Sequence, residues 1–594
     1  TFNQLSSCYL NTFEDSINGI FDGVHQEALK NKYAGGLGMD ITNFRAANSY
    51  ITGTNGSTQG AVYFWKLYGD MLAAVNQGGK RRGAGCAYLE CWHADFDDFL
   101  SLRKNTGDER KRTHDMNTAS WIPDLFMERV ISDEKWYMFS PNETPELHEI
   151  YGTEFNEKYD QYVKMGLKGE LNTFKEISAK ELWKKMLRSL FETGHPWVTF
   201  KDPSNIRYSN QHEGTVHSSN LCTEILLHTK PTRYKNEASR SIKEYGETAV
   251  CNLGSLNLRN HIKLDKATGE SVIDYDKMKQ TISVAMRMLD NVIDINFYPT
   301  EEAKRSNTRH RPVGLGSMGW HDLYYKLKID FDSDEAVSIS DDIYEFISFH
   351  SILNSSKLAK ERGKYESYDG SLWSQDVLPI DTYGRLMKSR STTDYSTKER
   401  YKDGANDWSY VRSHIKKHGM RNSNTMAIAP TATISSIVGC SPSIEPRYSV
   451  LYVYSTLSGE FTMVNEYFVD ELKKLNLWNH EMLNNVKASD GDLTNLNIPE
   501  NLKNQFKTAF QQDQFKMIDA AARRQKWIDM GQSLNLYNCE TSLKYMNDLY
   551  MHAWEAGLKT TYYLRNKAAS KIEKSTVTTP QACSITDPDC ESCQ

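Results

Sequence analysis

The chain has 594 residues, 25% of them charged and 39% hydrophobic, with a formal net charge of −6. That balance is ordinary for a water-soluble globular protein and argues against nucleic acid or a membrane surface held by bulk positive charge. No run of 18 apolar residues is present, so nothing reads as a membrane span, and no secretory leader opens the sequence. Ten cysteines are too sparse for a disulfide scaffold, which predicts a cytoplasmic protein with reduced or catalytic thiols. The first residue is Thr1 and a strand-like run follows at once, as expected of a fragment or one piece of a split protein.

In chain order, the first strand-like run is SSCYL, Ser6 to Leu10. QGGKRRGAG, Gln77 to Gly85, mixes four glycines with three cations but lacks the Gly-Lys-Ser/Thr ending of a phosphate loop. A solvated basic turn and an anion site both fit it. CAYLECW, Cys86 to Trp92, reads as a strand, and HADFDDF, His93 to Phe99, as the polar face of a helix start rather than a metal cluster. Leu182, Met186 and Leu190 mark a helix that stops at Gly194. SNLCTEILL, Ser219 to Leu227, reads as a strand, in which Asn220, Cys222 and Glu224 share one face. A buried structural cysteine is the plain reading of that stretch.

Residues 228 to 248 are polar and read as a surface excursion before AVCNLGSLNL, another strand-like run, Ala249 to Leu258. Ile282, Ala285, Met286, Leu289 and Ile293 keep helical spacing, as do Ile343, Phe346, Ile347 and His350 in a segment ending near Gly363. Gly314 to Gly319 fits G-x-G-x-x-G, but the polar KRSNTRHRPV ahead of it is not the apolar strand of a dinucleotide fold, so that reading is rejected. PTATISS, Pro430 to Ser436, suits either a phosphate at a helix start or a capping stretch with no ligand. TTYYL, Thr560 to Leu564, reads as a strand with one tyrosine on each face. From about Asn566 large apolar residues become few, which predicts a mobile tail, and Cys590 and Cys593 there are spaced for thiol–disulfide exchange. Helices alternating with short strands predict an α/β chain with a central sheet.

In their order, SSC, AGGLG, QGGKRRGAG, SNLCTEI, AVCNLGSLNL, RHRPVGLG, GMRNS, PTATISS, SIEP, SLNL, TTYYLRN and the terminal cysteine pair resemble the large, catalytic subunit of class I ribonucleotide reductase. The resemblance runs over essentially the full chain. It implies a ten-stranded α/β barrel of two half-barrels over residues 1–565, with a finger loop carrying the radical cysteine, and a flexible redox tail over 566–594. It implies reduction of ribonucleoside diphosphates by a thiyl radical on Cys222, with Glu224 as general base and Asn220 holding the ribose. Cys8 and Cys251 become the reducing pair, Tyr562 and Tyr563 the radical relay, and Cys590 and Cys593 the tail shuttle. Substrate contacts fall on Ser7, Gly36, Asn220, Glu224, Thr431, Ala432, Thr433 and Ile434. An ATP or deoxynucleotide effector falls on Asp15, Ser16, Ile17, Lys32, Arg45, Thr52 and Gly53, with Gln77, Lys80 and Arg81 in the loop that relays its identity.

The resemblance further implies no cofactor or metal bound in this chain, since a metal-containing small subunit supplies the radical. Thioredoxin or glutaredoxin, a second copy of the chain and a separate N-terminal fragment complete the implied partners. The family's helical N-terminal region is missing ahead of SSC, so an inactive split fragment is one alternative. An adenosylcobalamin-dependent reductase is the other, and the Tyr562-Tyr563 pair argues against it.

Overall fold

The computed structural model describes residues 3–51, 53–75, 83–236, 239–390, 407–456, 459–540 and 542–566. Thr52, Gln77, Lys80, Arg81, Cys590 and Cys593 lie outside the described residues. Among the described residues, no helix is long and apolar enough to cross a membrane.

Five parallel strands, β1 (Cys8–Thr12), β2 (Gly36–Asp40), β3 (Ala84–Glu90), β4 (Asn117–Ile122) and β5 (Trp197–Phe200), lie side by side in chain order. Helices α1 (Ile17–Lys32) and α2 (Val62–Ala74) supply the first two crossovers, and α3 (Ala179–Thr193) precedes β5. In β2, Leu37 and Met39 alternate with Gly36 and Gly38, so one face of the strand is bulky and the other bare. A short strand, β6 (Ala249–Cys251), adds to the free edge of β1 in antiparallel register, pairing Cys8 with Cys251.

After Asn252 the same run continues as β7 (Leu253–Asn257), which pairs in parallel with β8 (Gly314–Met318). Leu315 N–H then reaches Thr425 O at 2.9 Å, Ile428 N–H reaches Gly531 O at 3.1 Å, and Tyr562 N–H reaches Leu534 O at 2.8 Å. β9 (Leu536–Asn538) pairs in parallel with β10 (Leu564–Asn566). Thr560 bridges back antiparallel to Thr199 in β5, flanked by Phe200 N–H to Lys559 O and Thr561 N–H to Val198 O.

Helix α4 (Tyr275–Ile295) presents Ile282, Met286, Leu289 and Ile293 to the core, the face its spacing predicts. It packs on α5 (Asp334–Arg362), which also meets the helices Trp408–His418 and Gln514–Gln525. Every residue of α5 from Ile343 to Ser356 is buried. Its polar residues survive there by bonding other segments: Ser348 to Trp527 O, Ser355 to Asn422 and Ser356 to Gly419 O. α3 ends at Gly194, whose φ of 72° is the left-handed cap expected there.

Several sequence expectations change. SNLCTEILL is not a strand; it is an irregular segment with a turn at Leu221-Cys222. Only the end of TTYYL joins a strand, from Leu564, and the two tyrosine rings lie together with centroids 3.9 Å apart rather than on opposite faces. His93 and Asp95 are buried: Asp95 N–H donates to His93 Nδ1, and the Asp95 carboxylate accepts from the N–H groups of Ala47 and Ala61. His93 and Asp95 thus fold inward as a polar knot, and the expected helix start follows at Phe96, with Asp97 exposed in its first turn. Gly314 and Gly316 lie in β8, after a helix, and Gly319 just beyond it, which agrees with rejecting a dinucleotide fingerprint.

Candidate active site

The Asn220–Glu224 segment crosses the bare face of β2. A Cβ on Gly36 would lie 3.1 Å from the Leu221 side chain, and one on Gly38 would lie 2.8 Å from Asn220 Cα, closer still to Ser219 O. Glycine at both positions is what lets backbone lie on backbone. From β3, the Tyr88 hydroxyl donates to Asn220 O at 2.7 Å. At the turn Thr223 adopts φ 67°, a left-handed conformation unfavourable for a β-branched residue.

The strained turn is held from the opposite side by three donors. Ser533 Oγ donates to Cys222 O at 2.5 Å, Thr560 Oγ1 to Thr223 O at 2.7 Å, and Gly531 N–H to Glu224 O at 2.8 Å. Three successive carbonyls are thus each fixed by a different residue. The loop spans from β2 and β3 on one side to the 531–533 and 560 segments on the other.

Tyr562 extends its hydroxyl to Cys222 Sγ at 3.5 Å. The Tyr563 ring packs on Tyr562 with the planes tilted by 37°, and the fully buried Trp197 meets both rings edge-on, at 4.8 and 5.4 Å between centroids. Burial raises both tyrosine pKa values, and for Tyr562 the neighbouring Cys222 adds to the effect. Both phenols therefore stay protonated at neutral pH, and loss of an electron must be coupled to loss of the hydroxyl proton.

Cys8 and Cys251 are direct cross-strand partners. Antiparallel partners hold their Cα atoms roughly 4.5–5.5 Å apart, within the range that a disulfide spans. Burial pushes the Cys251 thiol well up, with Cys8 and Glu224 adding to the shift. Glu224 is fully buried, and burial raises its pKa to about 7; the Asn220 amide and Ser533 hydroxyl act in the opposite sense. Ser533 Oγ lies 3.1 Å from Glu224 Oε2. Asn220 Oδ1 accepts from Ile225 N–H at 3.2 Å, while among the described residues its buried Nδ2, though close enough to Glu224 to act on it, meets no acceptor in good hydrogen-bonding geometry. A carboxyl that titrates near neutrality, a thiol, a dithiol pair and a spare amide donor are thereby gathered around one loop.

The other sequence candidates fall in two places. Ser7 precedes β1, and its carbonyl accepts from Gly36 N–H at 2.6 Å. Thr431 adopts φ 52° ahead of α6 (Ala432–Val438), and Ala432, Thr433 and Ile434 are exposed. Thr431 makes no capping bond to α6; its Oγ1 accepts from Ser443 N–H at 2.7 Å, so the capping role considered for PTATISS is not what this threonine does. Asp15 and Ser16 lead into α1 at Ile17; Ser16 caps it by accepting from Gly19 N–H, and Asp15 pairs with Arg45 at 2.7 Å. Burial nonetheless raises the Asp15 pKa, with Arg45 opposing. Lys32 ends the same 16-residue helix, about 24 Å away at 1.5 Å per residue, so one chain does not bring it to Asp15. Gly53 lies in the turn between Ile51 and Gly56.

Sequence reading missed Gly38, Tyr88, Trp197, Gly531, Ser533 and Thr560 as parts of this site. Ser533 opens SLNL and Thr560 opens TTYYLRN, so both stood inside recognised motifs without a role. It also missed two buried clusters, Asp40 with His148 and His217, and Glu213 with His228 and His310. In the first, His148 Nε2 lies 2.7 Å from Asp40 Oδ2 and stacks on His217 with ring centroids 3.8 Å apart and planes 6° apart. Parallel rings direct their in-plane lone pairs side by side, which suits a shared charge network rather than one metal ion. In the second, Arg309 joins Glu213 to Glu247 and supplies the positive charge itself.

A parallel α/β framework thus gathers the thiol loop, the cross-strand cysteine pair and the two packed tyrosines. The chain belongs to the ribonucleotide reductase family, whose barrel domain matches residues 6–564. Among curated relatives, it is 52% identical over 577 residues to the ribonucleoside-diphosphate reductase subunit alpha of Chlamydia pneumoniae, covering 96% of this chain and 53% of that protein. The ribonucleoside-diphosphate reductase large subunit of Arabidopsis thaliana is 39% identical over 594 residues, covering 97% and 69%. The large chain of Schizosaccharomyces pombe is 40% identical over 579 residues, covering 97% and 66%. The chain thus spans about half the length of the chlamydial relatives it matches.

Proposed function

We propose that this chain forms the catalytic domain of a class I ribonucleoside-diphosphate reductase, converting ribonucleoside diphosphates to 2′-deoxyribonucleoside diphosphates. The observation that carries the reading is the unbroken contact Tyr563–Tyr562–Cys222, with Cys8 and Cys251 paired across neighbouring strands. In this reading a metal-containing small subunit supplies the oxidising equivalent, and Tyr563 and Tyr562 pass it on. The Cys222 thiyl takes the 3′-hydrogen of the ribose. Glu224 accepts the 3′-hydroxyl proton, which its pKa of about 7 suits, and the spare Asn220 Nδ2 holds a ribose oxygen. The 2′-hydroxyl leaves as water, and Cys8 and Cys251 supply two electrons and end as a disulfide.

The fold proposed is a closed ring of ten extended segments, with the 220–224 loop as its central finger. Support comes from five strands, β1 to β5, and from hydrogen bonds linking β6–β7, β8, residues 424–428, 530–538 and 560–566 in turn. Antiparallel seams join the two sets at Cys8–Cys251 and Thr199–Thr560. A thiyl radical survives only where water and stray hydrogen donors are excluded, which favours such an interior. Residues 1–565 make the barrel domain and 566–594 the redox tail, in which Cys590 and Cys593 re-reduce the active-site disulfide at the expense of thioredoxin or glutaredoxin. Ser7, Gly36 and the exposed backbone of Thr431 to Ile434 bind substrate.

The effector reading, for ATP or a deoxynucleoside triphosphate, uses Asp15, Ser16, Ile17, Arg45, Thr52 and Gly53, with Gln77, Lys80 and Arg81 relaying its identity. In this reading Lys32, at the far end of α1, belongs to the effector site across a homodimer. The protein acts in the cytoplasm.

The test is reduction of labelled CDP by the chain with the small subunit and dithiothreitol. Turnover is expected; no product, or product from adenosylcobalamin alone, overturns the reading. Cys590→Ser with Cys593→Ser should keep activity with dithiothreitol and lose it with thioredoxin, and equal loss with both removes the shuttle role.

A further inference from the structure

Ser533 reaches from outside the thiol loop to both its backbone and the buried carboxyl. Its Oγ lies 2.5 Å from Cys222 O and 3.1 Å from Glu224 Oε2. Its own N–H is fixed on Ile428 O at 3.0 Å, and the residue is 1% exposed, so neither water nor backbone motion readily substitutes for it. The other two loop anchors are different in kind. Thr560 Oγ1 bonds Thr223 O and Gln532 O, and Gly531 donates through its backbone N–H to a carbonyl; neither bonds the Glu224 carboxylate.

A serine hydroxyl carries one proton and can accept others. When Glu224 is ionised, its oxygen and Cys222 O are both acceptors, and they compete for that single proton. When Glu224 is protonated, its O–H donates to Ser533 Oγ, leaving the serine proton wholly to Cys222 O. Both bonds are then satisfied at once. We propose that Ser533 is a positioning residue that couples the proton on Glu224 to the hold on the Cys222 backbone. The inference rests on the reading of Glu224 as general base. Proton uptake from the ribose tightens the Cys222 carbonyl in place while the radical is on substrate, and proton return releases it. No covalent bond changes at Ser533, and no net proton is gained or lost there.

The other titratable groups around Glu224 are Cys222 on its own loop, Tyr88 from β3, Cys251 from β6 and, beside Cys251, Asp529. Burial raises Tyr88 and Cys251, which keeps both neutral near pH 7. It also raises Asp529.

The test measures kcat/KM for CDP against pH in the full-length chain with its small subunit and dithiothreitol. Ser533→Ala removes the hydroxyl that bridges Glu224 Oε2 and Cys222 O, so its acid limb should move by about one pH unit, a roughly tenfold change at pH 6. Ser533→Thr keeps a hydroxyl and should restore the wild-type limb. Thr560→Val removes a loop anchor without touching the carboxylate, and should lower the rate with its limb unmoved. An unmoved limb in Ser533→Ala, or an equal shift in Thr560→Val, overturns the coupling. Should Ser533→Ala fail to fold, Ser533→Cys, with its weaker donor, is measured against the same two results. Wild-type activity in Glu224→Gln would instead remove the general-base reading, which keeps the two failures apart.

Discussion

Gly38→Ala tests whether the thiol loop depends on the bare face of β2. The new methyl carbon would lie 2.8 Å from Asn220 Cα, 0.6 Å inside ordinary van der Waals contact at 3.4 Å, and nearer still to Ser219 O. Both neighbours are backbone, so no side chain can rotate aside. The loop must rise from the sheet by on the order of 1 Å, a misplacement that costs about 10²-fold in rate where reacting groups are prealigned. Overpacking itself costs roughly 1–3 kcal/mol, which a chain of this size survives. The expected result is a folded protein whose CDP reduction falls by about two orders of magnitude and whose Tyr562–Cys222 contact of 3.5 Å is lengthened. Gly384→Ala serves as the control: it lies inside the helix Pro379–Arg390 with nothing within 4 Å of an added Cβ, and should be neutral or stabilising by up to about 1 kcal/mol. Assays are steady-state turnover, thermal unfolding and a crystal structure of the variant. A folded Gly38→Ala enzyme with activity within about twofold of wild type would refute the argument that β2 must be bare beneath the loop.

Three further outcomes are expected. Tyr562→Phe removes the hydroxyl that meets Cys222 Sγ and should abolish turnover while CDP binding, measured calorimetrically, persists; retained turnover would remove Tyr562 from the relay. One turnover without external reductant should leave a Cys8–Cys251 cross-linked peptide visible by mass spectrometry, and Cys251→Ser should leave neither cross-link nor repeated turnover. Burial alone would lower the His148 pKa, but the Asp40 carboxylate outweighs it and holds the imidazole up, at about 10. Because the folded value lies above the unfolded one, that stability is present in full below about pH 6.5 and is lost as pH rises through about 10. Urea unfolding should therefore weaken from pH 7 to 10 in the wild type and weaken less in His148→Gln.

Helices were legible because burial writes itself into periodicity: Leu182, Met186 and Leu190 all lie on the buried face of α3, and Gly194 ends it with the backbone that glycine favours. Strands at Cys8, Cys86 and Ala249 were legible from apolar runs between turn signals. The loop at Asn220 was not, since alternating polar and apolar letters describe a strand as well as a turn, and only Thr223's positive φ separates them. The partners of that loop were illegible for a different reason. Ser533 and Thr560 are 311 and 337 residues from the carbonyls they hold, and no local pattern records such a pairing. The helix start in HADFDDF was legible from its acidic run, whereas the burial of His93 and Asp95 shows only once Ala47 and Ala61 are seen to donate to Asp95. The resemblance supplied roles for Cys222 and Glu224, whereas the raised pKa of Glu224 came only from knowing what buries it.

The triple clasp on the loop also bears on how the chain folds. Cys222 leaves the ribosome long before Gly531, Ser533, Thr560 and Tyr562, and these contacts are among the most distant in sequence that the domain makes. Contacts of such separation form late, after the entropy of closing long loops has been met. A nascent or half-folded chain therefore keeps Cys222 apart from Tyr562, and the order of assembly brings the two together only when the last segments of the domain have closed.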